Sequence, residues 1–87
     1  MTRSEHPVAI VTGGGGGIGR SISETFAAHG GAVVVADHDE SRAAETVAAI
    51  EARGGRALAS HTDVRERAQV EAMTDSTLEA FGAVDIL

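Results

Sequence analysis

Five consecutive glycines, Gly13 to Gly17, stand between the apolar run Val8-Ala9-Ile10-Val11 and a segment that opens Ile18-Gly19-Arg20-Ser21-Ile22. A backbone without side chains turns freely through positive φ and lets its N–H groups approach an anion closely. If a helix starts there, the positive end of its dipole adds to the attraction, and the chemistry on offer is phosphate binding. Two spacings overlap in the run. Gly14, Gly16 and Gly19 satisfy G-x-G-x-x-G. Gly13, Gly17 and Gly19, with Thr12 in front and Ile18 in place, satisfy T-G-x-x-x-G-x-G, which demands more fixed residues and is the more specific. A flexible spacer is the competing reading, but spacers have polar flanks and these flanks are apolar.

Two carboxylates stand at comparable places further on. Asp37 closes the run Ala32-Val33-Val34-Val35-Ala36, 18 residues past Gly19, and Asp63-Val64 follows Arg56-Ala57-Leu58-Ala59-Ser60. Asp63 lies three residues before Glu66, the spacing of a capping box, so capping a helix competes with a ligand role. The four histidines, His6, His29, His38 and His61, show no i, i+4 pair and no carboxylate arrangement that suggests a metal site. There is no cysteine, which excludes disulfides and thiolate zinc. The chain also has no Lys, no Tyr and no Asn; all seven basic residues are Arg.

The elements that must position these groups alternate. Strands are predicted at Val8–Val11, Ala32–Ala36, Arg56–Ser60 and, at the end, Val84–Leu87. Between them lie three helical segments. The first carries Ile18, Ile22 and Phe26 on one stripe, expected to face inward, and closes at Gly30-Gly31. The second runs from about Glu40 to Arg53 behind Asp39 as N-cap, with Ala43, Val47 and Ile50 inward, and closes at Gly54-Gly55. The third is predicted to start at Asp63, to bury Val70, Met73, Thr77 and Phe81, and to stop at Gly82; Glu66, Glu71, Asp75 and Glu79 form its solvated flank.

Such alternation implies a parallel sheet with right-handed crossovers. The first two helices then share a face and the third crosses to the other, giving a Rossmann-like α/β sheet of order 3-2-1-4 with strand 4 incomplete. At 87 residues the chain is one domain, with 43% hydrophobic residues to build a core. Its net charge of −6 argues against nucleic acid or anionic membrane as a partner, and no apolar run approaches a membrane span. A soluble, cytoplasmic protein is the expectation.

Over essentially its whole length the chain resembles the short-chain dehydrogenases/reductases, which bind NAD(P). The likeness rests on "TGGGGGIGR", the acid ending the second strand, "DV" after the third and "FGAVDIL" entering the fourth. The resemblance implies that Thr12, Gly13, Gly17, Ile18 and Gly19 serve the dinucleotide and that Asp63 and Val64 meet its adenine. Asp37 would accept hydrogen bonds from the ribose hydroxyls. NAD is expected over NADP, because the 2′-phosphate of NADP brings negative charge against Asp37. Relatives that prefer NADP commonly carry a basic residue in the glycine loop or just after the acid, and here those places hold Gly16 and His38. Arg20 and Arg42 are the nearest cations, both expected to face outward.

The same resemblance implies what this stretch does not supply. Hydride transfer in the family uses Tyr, Lys, Ser and Asn, and this chain has no Tyr, Lys or Asn, nor a serine where the catalytic one would stand. No catalytic residue is therefore assigned, and the chain alone is expected to bind NAD without catalysis, as the N-terminal part of an oxidoreductase. The alternative is a non-catalytic dinucleotide-binding or protein-interaction module. A methyltransferase-like Rossmann protein fits the Thr12–Gly19 context less well. The incomplete sheet edge is expected to favour self-association.

Overall fold

The structure, a computed structural model, describes residues 7–82. The β-branched residues of the first two apolar runs are stiff at χ1 and suit a pleated, buried surface. They form β1 (Val8–Thr12) and β2 (Ala32–Asp37), and a weaker run forms β3 (Arg56–His61). All pairing is parallel, with Val8 opposite Ala32 at one end and Asp37 opposite His61 at the other. The order is β1-β2-β3, the 3-2-1 portion of the expected sheet. The expected fourth strand, Val84–Leu87, lies outside the described residues.

Every residue of β2 is buried, and its period of two divides the core. On one face Val33 and Val35 pack with Ala27 of α1 (Gly17–Ala28) and with Ala43 and Ile50 of α2 (Glu40–Ala52). On the other, Val34 and Ala36 join Ile10 and meet Met73 of α3 (Arg67–Phe81). Two helices on one face and the third on the other is the arrangement that right-handed crossovers demand. Asp39 caps α2, its carboxylate accepting from the Arg42 N–H at 3.2 Å. Gly82, at φ +78°, ends α3 in the left-handed conformation.

Two expectations are corrected. Of the stripe Ile18, Ile22 and Phe26, only Phe26, half-buried, packs against the core that holds Val33 and Val35; Ile18 is 80% exposed and Ile22 52%. Ser23 and Ala27 face inward instead. Ser23 at the same time donates to the Gly19 carbonyl at 2.8 Å, so its hydroxyl is satisfied in the core. Second, α3 begins at Arg67, not Asp63. Its N-cap, Glu66, makes no side-chain capping bond, and Asp63 is engaged by Arg65.

Ile50 is 2% exposed and closes the shared face of α1 and α2. Ile50→Ala is expected to destabilise the chain by about 2–5 kcal/mol, measured by urea denaturation, because the cavity cannot fully collapse. A loss well below that range would show that the α2 face is loosely packed.

Candidate functional site

The carboxyl ends of parallel strands are where an open α/β sheet leaves a crevice, and the three loops leaving β1, β2 and β3 meet there. The glycine loop bends twice through positive φ, at Gly13 (+66°) and Gly17 (+53°). Between these turns the chain is pinned to its surroundings. The Gly14 N–H donates to the Ala36 carbonyl at 3.2 Å. The Gly15 carbonyl accepts from the buried Thr46 hydroxyl of α2 at 3.3 Å. α1 starts at Gly17, so the first peptide groups of a 12-residue helix follow directly from the loop.

Asp37 is the buried acid of the site, 5% exposed. Its Oδ2 accepts from the Gly15 N–H at 3.1 Å and its Oδ1 from the Asp39 N–H at 2.9 Å. The exposed His38 places Nδ1 3.4 Å from the same Oδ1. A carboxylate offers about four lone-pair positions, so two backbone donors leave capacity for two more. Asp37 thus ties the β2 end to the glycine loop and still has acceptor positions for a ligand.

A cleft of about 590 Å³ runs along this edge, within the range that holds small ligands. Its lining includes Thr12, Gly13, Asp37, His38, Asp63 and Val64, so five of the residues expected from the sequence come together. Gly17, Ile18 and Gly19 do not line it; they continue the same loop into α1. Gly19 lies against the Gly13 carbonyl, where a Cβ would collide with the backbone oxygen. Val64, 56% exposed, presents apolar surface beside these polar groups.

Asp63 is held differently from the expectation. Its Oδ1 accepts from the Arg65 backbone N–H and from Nε, each at 3.0 Å, and its Oδ2 from Nη2 at 2.9 Å. The Asp63 carboxylate is thus occupied by Arg65, and α3 starts later, at Arg67. Meanwhile the Asp63 N–H donates to Gln69 Oε1 at 2.8 Å. The Arg65 side chain, then its backbone N–H, lowers the Asp63 carboxyl from 3.8 to about 2. Because the folded-state value is depressed, the pair's contribution is present above the ordinary carboxylate range and disappears as pH falls through about 2. A ¹³C titration of the Asp63 carboxyl is expected to give a midpoint near that value and to shift upward in Arg65→Ala. A wild-type midpoint in the ordinary carboxylate range would contradict the pairing.

Four participants were not foreseen from sequence: Arg65 on Asp63, the Gly15 N–H on Asp37, Thr46 on Gly15, and the Arg42 side chain over the loop. Thr46 had a signal, since it lies three residues past Ala43 on the inward side of α2. Arg42 is exposed, as expected, and its Nη1 lies 3.4 Å from where a Cβ on Gly16 would stand. Among the described residues no group of three or more His, Cys, Asp or Glu could hold a metal ion, and no helix is long and apolar enough to cross a membrane.

A parallel sheet with helices on both faces, a glycine turn after its first strand and a buried acid ending the second together define a Rossmann-like protein. The chain belongs to the short-chain dehydrogenase family, whose model matches residues 7–87. It is 39% identical over 87 residues to the uncharacterized oxidoreductase YxbG of Bacillus subtilis (strain 168), covering all of this chain and 32% of that protein. The crystal structure of a hydroxysteroid dehydrogenase from Escherichia coli superposes with a TM-score of 0.91 at 40% identity, covering 93% of this chain and 34% of that one. A short-chain dehydrogenase/reductase from Burkholderia phymatum, solved in complex with NAD, gives 0.89 at 43% identity, covering 97% and 30%. The chain therefore spans about a third of the length of these relatives.

Proposed function

We propose that this chain is the NAD-binding portion of a short-chain dehydrogenase-type oxidoreductase. The observation that carries the reading is Asp37, a buried carboxylate tied to the glycine loop with acceptor capacity left over. The loop fits a diphosphate because its turns need positive φ at Gly13 and Gly17 and because it runs into a helix N-terminus. Its relatives include structures bound to NAD and NADH.

In this reading the Gly13–Gly19 backbone holds the diphosphate and Thr12 borders it. Asp37 accepts from the hydroxyls of an unmodified ribose, and each charge-assisted bond contributes about 1.5–3 kcal/mol. Val64 covers one side of the adenine, and Asp63, while paired with Arg65, receives its amino group. A bound nicotinamide ring supplies hydride transfer; this chain orients the dinucleotide and contributes no proton donor. Without Tyr, Lys or Asn, the 87-residue chain alone binds NAD and does not turn it over. It functions in the cytoplasm.

The test is calorimetric titration of the full chain with NAD, together with a hydride-transfer assay on an alcohol panel. Saturable heat without turnover is expected; absence of heat from a cooperatively folded sample would refute the site. A second reading, an interaction module, draws on the exposed Ile18 and Ile22 of α1. It predicts self-association that grows with protein concentration whether or not NAD is present.

A further inference from the structure

A run of glycines has more backbone freedom to lose than any other sequence, so it holds one shape only where its surroundings fix the peptides. Gly15 is fixed at both of its polar groups, by side chains from two different elements. Its N–H donates to Asp37 Oδ2 at 3.1 Å, at the end of β2. Its carbonyl accepts from Thr46 Oγ1 at 3.3 Å, in the middle of α2. The approach is close. A Cβ on Gly15 would stand 2.7 Å from Arg42 Cβ and 2.8 Å from Asp37 Oδ2, so a residue without a side chain is what lets the loop come near enough for both bonds.

Thr46 is fully buried, yet its hydroxyl is used differently from those of three residues on the other helices. Ser23, Thr74 and Thr77 each donate to the carbonyl four residues back in their own helix, at 2.8, 2.9 and 2.8 Å. That local bond is the ordinary way to satisfy a hydroxyl in mid-helix. Thr46 instead reaches out of α2 to a carbonyl 31 positions away. A trans peptide points its C=O and its N–H in opposite directions. Drawing the Gly15 carbonyl inward to a buried hydroxyl therefore turns the Gly16 N–H outward. Burial along the loop agrees: Gly14 and Gly15 are buried, whereas Gly16 is partly exposed and Gly17 exposed.

We propose that Thr46 is a positioning residue of the dinucleotide site, acting through Gly15 and touching no ligand itself. The inference rests on the NAD site described above. The Thr46 hydroxyl fixes the Gly15 peptide, which keeps the Gly15 N–H on Asp37 and the Gly16 N–H on the side where the diphosphate is received. One buried hydroxyl thus holds the ribose acceptor and the phosphate loop in register with each other. A loop already held in its binding shape loses less freedom when the ligand arrives, and that difference is affinity.

The test is calorimetric titration of NAD into the full chain, in wild type, Thr46→Val, Thr46→Ala, Thr46→Ser and Thr77→Val, each first checked for a cooperative melt. Thr46→Val keeps the side-chain volume and removes the donor; Thr46→Ala removes the donor without adding a methyl group against the Gly15 carbonyl, and decides the matter if the valine variant does not fold. Both are expected to weaken NAD about fivefold. Thr46→Ser keeps the hydroxyl and stays within about twofold of wild type. Thr77 is equally buried but bonds within α3, so Thr77→Val lowers the melting midpoint and leaves NAD affinity within about twofold. In ¹⁵N spectra without ligand, the Gly15 and Gly16 amide signals move in the Thr46 variants that lack the hydroxyl and stay in place in Thr77→Val. Wild-type affinity in a folded variant without the Thr46 hydroxyl would overturn the proposal. So would a serine variant as weak as valine, or equal weakening in Thr77→Val. Failure of wild type to bind NAD would refute the site itself and this proposal with it, a result separable from the others.

Discussion

Gly19→Ala is expected to abolish measurable NAD binding and to destabilise the chain by about 3 kcal/mol. The reason is steric and local. A Cβ at position 19 would collide with the Gly13 carbonyl oxygen, and would stand 2.8 Å from the Gly13 carbonyl carbon and 3.0 Å from Gly14 Cα. All three are backbone atoms, so no rotamer change relieves the clash; the loop must move away from the first turn of α1. That movement pulls apart the two turns at Gly13 and Gly17 and disturbs the Ser23 bond to the Gly19 carbonyl. Stability by denaturation and affinity by calorimetry should both fall. Retention of NAD affinity in a folded Gly19→Ala variant would mean that the loop is not held as the structure has it.

Asp37→Ala is the second large effect, and it acts on discrimination. At about 4 Å and an effective dielectric of about 20, two like unit charges repel by roughly 4 kcal/mol, near a thousandfold in affinity. On the proposed reading, wild type is therefore expected to prefer NAD over NADP strongly. Removing the carboxylate should weaken NAD about tenfold or more by loss of charge-assisted bonds, and should strengthen NADP. The two affinities then lie within about tenfold of each other. The same substitution leaves the Gly15 and Asp39 N–H groups without their acceptor, costing about 1–3 kcal/mol of stability. Asp37→Asn keeps an acceptor oxygen and separates the two consequences, since it removes the charge with less damage to the loop. A preference for NAD unchanged in both variants would remove Asp37 from the account.

Much of this was legible in the sequence because it depends on periods and punctuation. Three consecutive valines ending in Asp37 announce a strand buried on both faces, and the structure divides them, Val33 and Val35 from Val34, between two cores. The glycines after each helix mark its end, and Asp39 caps α2 as its type and place suggest. The misreadings came where a tertiary distance decides. Apolar spacing alone turned Ile18 and Ile22 inward, but the residues of α1 buried against the sheet are Ser23 and Ala27, with Phe26 packed partly buried beside them. Asp63 and Glu66 have capping-box spacing, but the Asp63 carboxylate is taken up by Arg65. Likewise the path of Arg42 is set by the gap at Gly16, a contact between residues 26 positions apart that no local pattern encodes.

The central claim is that the Gly13–Gly19 amides and the Asp37 carboxylate together receive NAD, and amide NMR observes those groups directly. Titrating ¹⁵N-labelled chain with NAD should shift the amide signals of Gly13 to Gly19, Asp37 and Val64 in one saturable process and leave those of the outer face of α3 in place. Saturation with the loop amides unmoved, or shifts confined to the exposed side of α1, would contradict the account.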